Sequence, residues 1–154
     1  MSDTAFEIHL VREFDAPVEL LFQMWADPQH MKHWGCPENF TITEIQMDFR
    51  EGGTWATTMV GPDGTSYHMR GEYLQIDEPN LITNTNQWVN EDGTVTDPTT
   101  INMNFEALEN NRSRLIVHEA KYTSMAFKKD NQDGWEGSLD NLAAYLRTCN
   151  ALVR

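Results

Sequence analysis

The sequence predicts an α+β fold: a seven-stranded antiparallel sheet curved around one long C-terminal helix, with two short helices after the first strand. Three observations carry this. The stretch from Asp133 to Cys149 places Trp135, Leu139, Leu142, Leu146 and Cys149 at i, i+4, i+7, i+11 and i+14, one face of a 3.6-residue period that has to be buried. Roughly a hundred residues before it read instead with a period of two and are rich in Thr, Tyr, Trp and Ile. Between the first strand and that region, two short apolar patterns return to helical spacing.

Phe6 to Phe14 alternates, with Phe6, Ile8 and Leu10 opposed to Glu7 and His9, and forms the first strand. Ala16-Pro17 ends it, because proline lacks the ladder donor but suits the first turn of a helix. Val18, Leu21, Phe22 and Trp25 then mark a short helix, with Glu19 near its positive end. Asp27 caps a second helix begun by Pro28, whose inward pair is Met31 and Trp34 and which Gly35-Cys36-Pro37 closes. Strands follow near 40–50, 53–60, 65–77, 81–90, 98–109 and 113–122. Glu51-Gly52-Gly53, Gly61-Pro62-Asp63-Gly64, Asp92-Gly93 and Glu109-Asn110-Asn111 supply the turns, and Glu78-Pro79-Asn80 makes a sharper break. With neither repeat nor linker-like tract in view, the 154 residues read as one domain over 1–154, long enough to bury about two-thirds of their unfolded surface.

A hydrophobic share of 40% with 23% charged residues is that of an ordinary globule, not of a disordered or membrane chain. The formal net charge of -13 excludes a phosphate backbone as partner and disfavours anionic membranes. No window approaches the ~18 apolar residues of a membrane span, and the start MSDTAFEIHL lacks a basic segment followed by an apolar run. Cys36 and Cys149, far apart in a chain able to form its own core, read as reduced thiols, and the expected location is cytoplasmic.

Particular residues add a resemblance. They are Arg12-Glu-Phe14 with Ala16-Pro17, Phe22-x-x-Trp25, Asp27-Pro28 and Trp34-Gly35; Asp48-Phe-Arg50-x-Gly52-Gly53-x-Trp55; Gly61-Pro-Asp-Gly64, Gly71-x-Tyr73 and Pro79; and Gly134-Trp135 with Leu139, Leu142 and Leu146. In this order, across nearly the whole chain, they resemble the START-like or SRPBCC superfamily, and within it domains of the activator of heat-shock-protein ATPase homologue type. The resemblance implies a helix-grip fold. It implies no single activity, because the superfamily includes lipid and polyketide carriers, cyclases, antibiotic-sequestering proteins and co-chaperone domains.

A bent sheet around a helix leaves an apolar space between them, and such spaces hold small molecules. Alternation puts Trp55, Thr57 and Met59 on one face, Met69, Gly71 and Tyr73 opposite His68, Arg70 and Glu72, and Ile101, Met103 and Phe105 opposite Thr100, Asn102 and Asn104. The ligand-contacting residues expected are Trp34, Trp55, Met59, Met69, Tyr73, Met103, Phe105, Trp135, Leu139 and Leu142. The plainer expectation is that these side chains fill a solid core, although eight Met residues suit irregular space. His30, His33 and Cys36 invite a zinc reading by spacing, but Cys36 sits between Gly35 and Pro37 with no fourth ligand near, so rim histidines are expected and no metal. Asp48 and Arg50 are expected in a charge ladder with His68, Arg70 and Glu72.

The leading expectation is therefore a cofactor-free protein that binds a small hydrophobic or aromatic molecule. The second is an enzyme, cyclase-like or hydrolase-like, using His118 or Glu119 as base and Tyr122 as proton donor; neighbouring strand residues face opposite ways, so at most one of His118 and Glu119 enters the pocket. The third is a module that stimulates a chaperone ATPase. Neither a nucleophile elbow nor a phosphate-cradling loop is written in the chain, and a homodimer stays open.

Overall fold

The computed structural model describes residues 7–37, 39–120 and 125–153, and of 125–131 and 150–153 the backbone alone. In chain order the elements are β1 (Ile8–Phe14), α1 (Val18–Ala26), α2 (Pro28–Trp34), β2 (Thr41–Met47), β3 (Thr54–Val60), β4 (Ser66–Asp77), β5 (Leu81–Val89), β6 (Thr99–Ala107), β7 (Ser113–Ala120) and α3 (Met125–Val153). The strands form one antiparallel sheet ordered β1-β7-β6-β5-β4-β3-β2, so β1 and β2 are its edges. This is the expected helix-grip arrangement.

Local chemistry explains the boundaries. Asp27 accepts a hydrogen bond from Gln29 N at 2.8 Å and so caps α2, with Pro28 in its first turn. Gly52 has φ +83°, a conformation that side chains with a Cβ rarely adopt, and Asn110 and Asn111 take φ of 62° and 58° in the β6–β7 turn. β2 stops at Met47, short of the expected 50, because the backbone from Asp48 to Gly53 closes on itself: Arg50 N donates to Asp48 O and Gly53 N to Arg50 O. The expected charge ladder is corrected accordingly. Asp48 and Arg50 lie in this turn and pair with each other at 2.9 Å, and their side chains are half or more exposed, so solvent screens the pair.

Register fixes which side chains face inward. Ile8, Glu119, Ile101, Asn84 and Tyr73 are successive cross-strand partners from β1 to β4, and all five are buried. Partners in one row share a face, so Glu119 points toward the helix and His118 away from it. Phe6 and Tyr122, expected at the ends of the first and last strands, lie outside the described residues.

The helical stripe read from the sequence is the buried one: Leu139, Leu142 and Leu146 are at most 2% exposed, and Trp135 and Cys149 pack against the same cluster. α3 is longer than expected at both ends. Lys128 to Asn131 interrupt the apolar spacing, and a helix continues through such residues on its own backbone hydrogen bonds. Leu139, Leu142 and Leu146 share a core with Leu21, Phe22 and Trp25 of α1 and with Phe105, Leu115 and Val117. Phe105 meets Phe22 at 5.3 Å and Trp25 at 5.1 Å between ring centroids, edge to face.

Leu142 is wholly enclosed, so Leu142→Ala is expected to lower unfolding free energy by about 2–5 kcal/mol in urea titrations. Val11→Ala, at a position 61% exposed, is expected to stay within about 0.5 kcal/mol. Equal costs would contradict the placement of the core.

Candidate functional site

Between the α3 segment that carries Gly134, Trp135 and Ser138 and the sheet lies a cavity of about 690 Å³. That volume lies within the ~300–1,000 Å³ usual for small-molecule sites. Its floor is the inward face of the sheet: Ile45 and Met47 from β2; Trp55, Thr57 and Met59 from β3; Met69 and Tyr73 from β4; Ile82, Asn84, Asn86 and Trp88 from β5; Ile101 and Met103 from β6; and Glu119 from β7. Gly134, Trp135 and Ser138 of α3 form the roof, and Met31, Trp34, Gly35, Pro37 and Phe40, with Trp25 of α1, close one end. Period two within each strand and antiparallel register between strands bring these residues together.

Of the residues expected from sequence, Trp34, Trp55, Met59, Met69, Tyr73, Met103 and Trp135 line this cavity. Phe105, Leu139 and Leu142 do not. They lie in the packed core that also holds Leu21, Phe22 and Trp25 of α1. Helical periodicity identifies the buried face of α3 but not where along its length that face meets neighbours. Asn84, Asn86 and Trp88 were missed, and Glu119 was expected only as one of two candidate bases. Residues 82, 84, 86 and 88 share one face of β5 by simple alternation, which was the signal available for three of them.

Glu119 is 1% exposed, and among the described lining residues it is the one charged group. Its Oε1 accepts from Trp135 Nε1 at 2.8 Å, and its Oε2 accepts from the Thr99 hydroxyl. These bonds offset the loss of water around the carboxyl group. The Asn84 and Asn86 amides lie on the same floor, two strands away. The structure separates the two residues that strand alternation left open. His118 is on the outer face, with Nε2 3.0 Å from Glu7 Oε1, and Glu119 alone enters the cavity.

Tyr73 stands edge-on to Phe49 at 5.1 Å. Burial, with a smaller contribution from the Asp48 charge, holds its phenol well above the ordinary tyrosine range. Trp55 leans on Gly71, where a Cβ would fall 1.9 Å from Thr85 O and 2.5 Å from Trp55 Nε1; glycine is what lets the indole lie flat on β4. That Nε1 is buried with no hydrogen-bond partner among the described residues. At the cavity's end, Trp34 Nε1 donates to Met24 O at 3.1 Å, and Asn141 Nδ2 donates to Cys36 O at 2.7 Å, tying the segment after α2 to α3. His30 and His33 both engage Tyr145, and Cys36 is engaged elsewhere. His30 Nδ1 lies 2.8 Å from the Tyr145 hydroxyl, His33 stacks on the Tyr145 ring, and the Cys36 thiol points at Phe40 O and is pushed up in pKa by burial.

A seven-stranded curved sheet gripping a long C-terminal helix defines a START-like domain. The chain belongs to the family described as "Activator of Hsp90 ATPase homolog 1-like protein", whose model matches residues 15–147. No curated protein matches the chain. Among solved structures it is similar to the AHSA1 protein of Silicibacter pomeroyi, 25% identical over 92% of this chain and 98% of that one, with a TM-score of 0.82. It is also similar to a protein from Arthrobacter aurescens, 26% identical over 96% and 90% of the two chains at a TM-score of 0.84. CalU16 from Micromonospora echinospora is similar at 25% identity, covering 90% of this chain and 74% of that one, with a TM-score of 0.67. No helix among the described residues is long and apolar enough to cross a membrane.

The raised Tyr73 pKa has a defined sign. The unfolded chain loses this proton near pH ~10 while the folded chain keeps it, so the stabilisation is complete below pH ~10 and is lost as pH climbs toward the raised value. Urea midpoints measured between pH 9 and 12, values chosen to bracket that ~10, should fall more steeply for the wild type than for Tyr73→Phe. Parallel curves would contradict a buried phenol.

Proposed function

We propose that this chain binds a small hydrophobic or aromatic molecule in the cavity between α3 and the sheet, with Glu119 and the Asn84 and Asn86 amides orienting it. The observation that carries this is the lining itself: tryptophans, methionines and Tyr73 around a space of ligand size, with a few polar groups gathered on its floor. Trp34, Trp55, Met59, Met69, Tyr73, Met103 and Trp135 supply the apolar contact. A guest that buries ~300 Å² of apolar surface gains roughly 7 kcal/mol at ~25 cal/mol/Å². Association and ordering costs reduce this, so affinity falls in the micromolar range.

Fluorescence titration with the neutral aromatic probe N-phenyl-1-naphthylamine tests the reading. The wild type should saturate at micromolar probe, Met69→Ala and Trp55→Ala should weaken binding at least several-fold, and Arg70→Ala, on the outer face of β4, should leave it unchanged. A lack of saturable binding, or equal effects of all three changes, would contradict it.

The buried Glu119 favours a second reading, an enzyme acting on a substrate in the same cavity with this carboxylate as base. The proton donor expected for it, Tyr122, lies outside the described residues. Native mass spectrometry of protein purified without added ligand separates the two readings. One retained mass supports carriage, and a pair of masses differing by a defined chemical step, with Glu119→Gln retaining only the heavier or the lighter, supports turnover.

A further inference from the structure

The outer face of the sheet, opposite the cavity, carries a separate cluster. His9 of β1 and His118 of β7 are cross-strand partners whose rings stack at 4.4 Å, and His118 Nε2 stands 3.0 Å from Glu7 Oε1. Ile8 between Glu7 and His9 is fully buried, so alternation sends both neighbours to the outside with His118. One potential ligand atom from each of the three lies within 4.8 Å of the other two.

We propose that Glu7, His9 and His118 form a divalent-metal site of the zinc class, with three protein ligands and a fourth position open to water. Zinc takes imidazole nitrogen and carboxylate oxygen at roughly 2.0–2.2 Å in a tetrahedral shell, which sets neighbouring ligand atoms about 3.3 Å apart. The Glu7–His118 separation of 3.0 Å is already close to such an edge. His9 is exposed, so turning its ring to bring in a third ligand meets little packing resistance. Two nitrogens and one carboxylate suit a borderline ion such as Zn²⁺ better than the oxygen-seeking Mg²⁺ or Ca²⁺.

The surroundings agree with a cation. Val11 and Ile116, the next outward pair on these two strands, separate the cluster from Arg114, which is engaged by Glu13 and Glu106. On the other side of His118 its register partner is Asn102, a neutral amide whose Oδ1 accepts from the Thr83 hydroxyl. A net charge of -13 raises the local concentration of divalent cations. Because β1 is an edge strand paired with β7, an ion held by both would clamp that edge to the sheet.

Calorimetric titration of the full chain with ZnCl₂ tests this, read together with the thermal midpoint. The wild type should bind one equivalent and show a higher Tm with zinc. His9→Asn, at an exposed position where folding is not at stake, should bind at least ten-fold more weakly, and His9→Asn/His118→Asn should lose both the saturable heat and the Tm rise. His33→Asn, in α2 where the ring stacks on Tyr145 and outside the cluster, should behave as the wild type. Absence of one-equivalent binding in the wild type, or a His9→Asn affinity equal to it, would overturn the site.

Discussion

Trp135 of α3 and Glu119 of β7 meet in a hydrogen bond of 2.8 Å at the point where the space between helix and sheet changes character. One turn further along α3, Leu139 begins the buried leucine stripe, which belongs to the same packed core as Leu21, Phe22 and Trp25. Before it, Gly134, Trp135 and Ser138 roof a hollow. The junction is a constraint on the whole arrangement. The leucine stripe seats the helix on the sheet, and the indole–carboxyl contact fixes the height of the segment around Trp135 above the floor. The two regions do different work along one helix, the leucine stripe stabilising the fold and the segment before it leaving room.

The floor of that room is not uniformly apolar. Alternation along β5 brings Asn84 and Asn86 inward beside Ile82 and Trp88, and Glu119 lies in the same register row as Asn84. A buried carboxyl is costly unless its oxygens are satisfied, and here Trp135 and Thr99 each supply one donor. A carboxylate has room for more than two such bonds, so the group retains capacity to accept from a guest. An apolar shell with a few fixed polar groups gives affinity from the former and orientation from the latter.

Much of this was legible in the sequence, for identifiable reasons. The order of elements followed from period and turn chemistry, both local: Asp27-Pro28 begins α2, and Asn110-Asn111 takes the left-handed turn its residues permit. The inward face of β3 and β4 was legible because alternation holds from Trp55 to Met59 and from Met69 to Tyr73, ahead of the register shift that follows Tyr73. Three expected contacts, Phe105, Leu139 and Leu142, fell in solid core because a burial pattern does not distinguish a side chain that meets a neighbour from one that meets a void. The sides taken by His118 and Glu119 needed the register of β7 with its two neighbours, and its β1 partners, such as Ile8 for Glu119, lie about a hundred positions away in the chain. The outer Glu7, His9 and His118 cluster has the same origin: neither strand alone contains more than part of it.

The hollow under Gly134, Trp135 and Ser138 of α3 is tested most directly by NMR of methyl-labelled methionine during titration with N-phenyl-1-naphthylamine. The methyls of Met59, Met69 and Met103, on the cavity walls, should shift and show contacts to the aromatic ring, while Met24, buried outside the lining, should not. Unmoved signals from the three wall methionines at saturating probe, or shifts of Met24 as large as theirs, would contradict an enterable cavity.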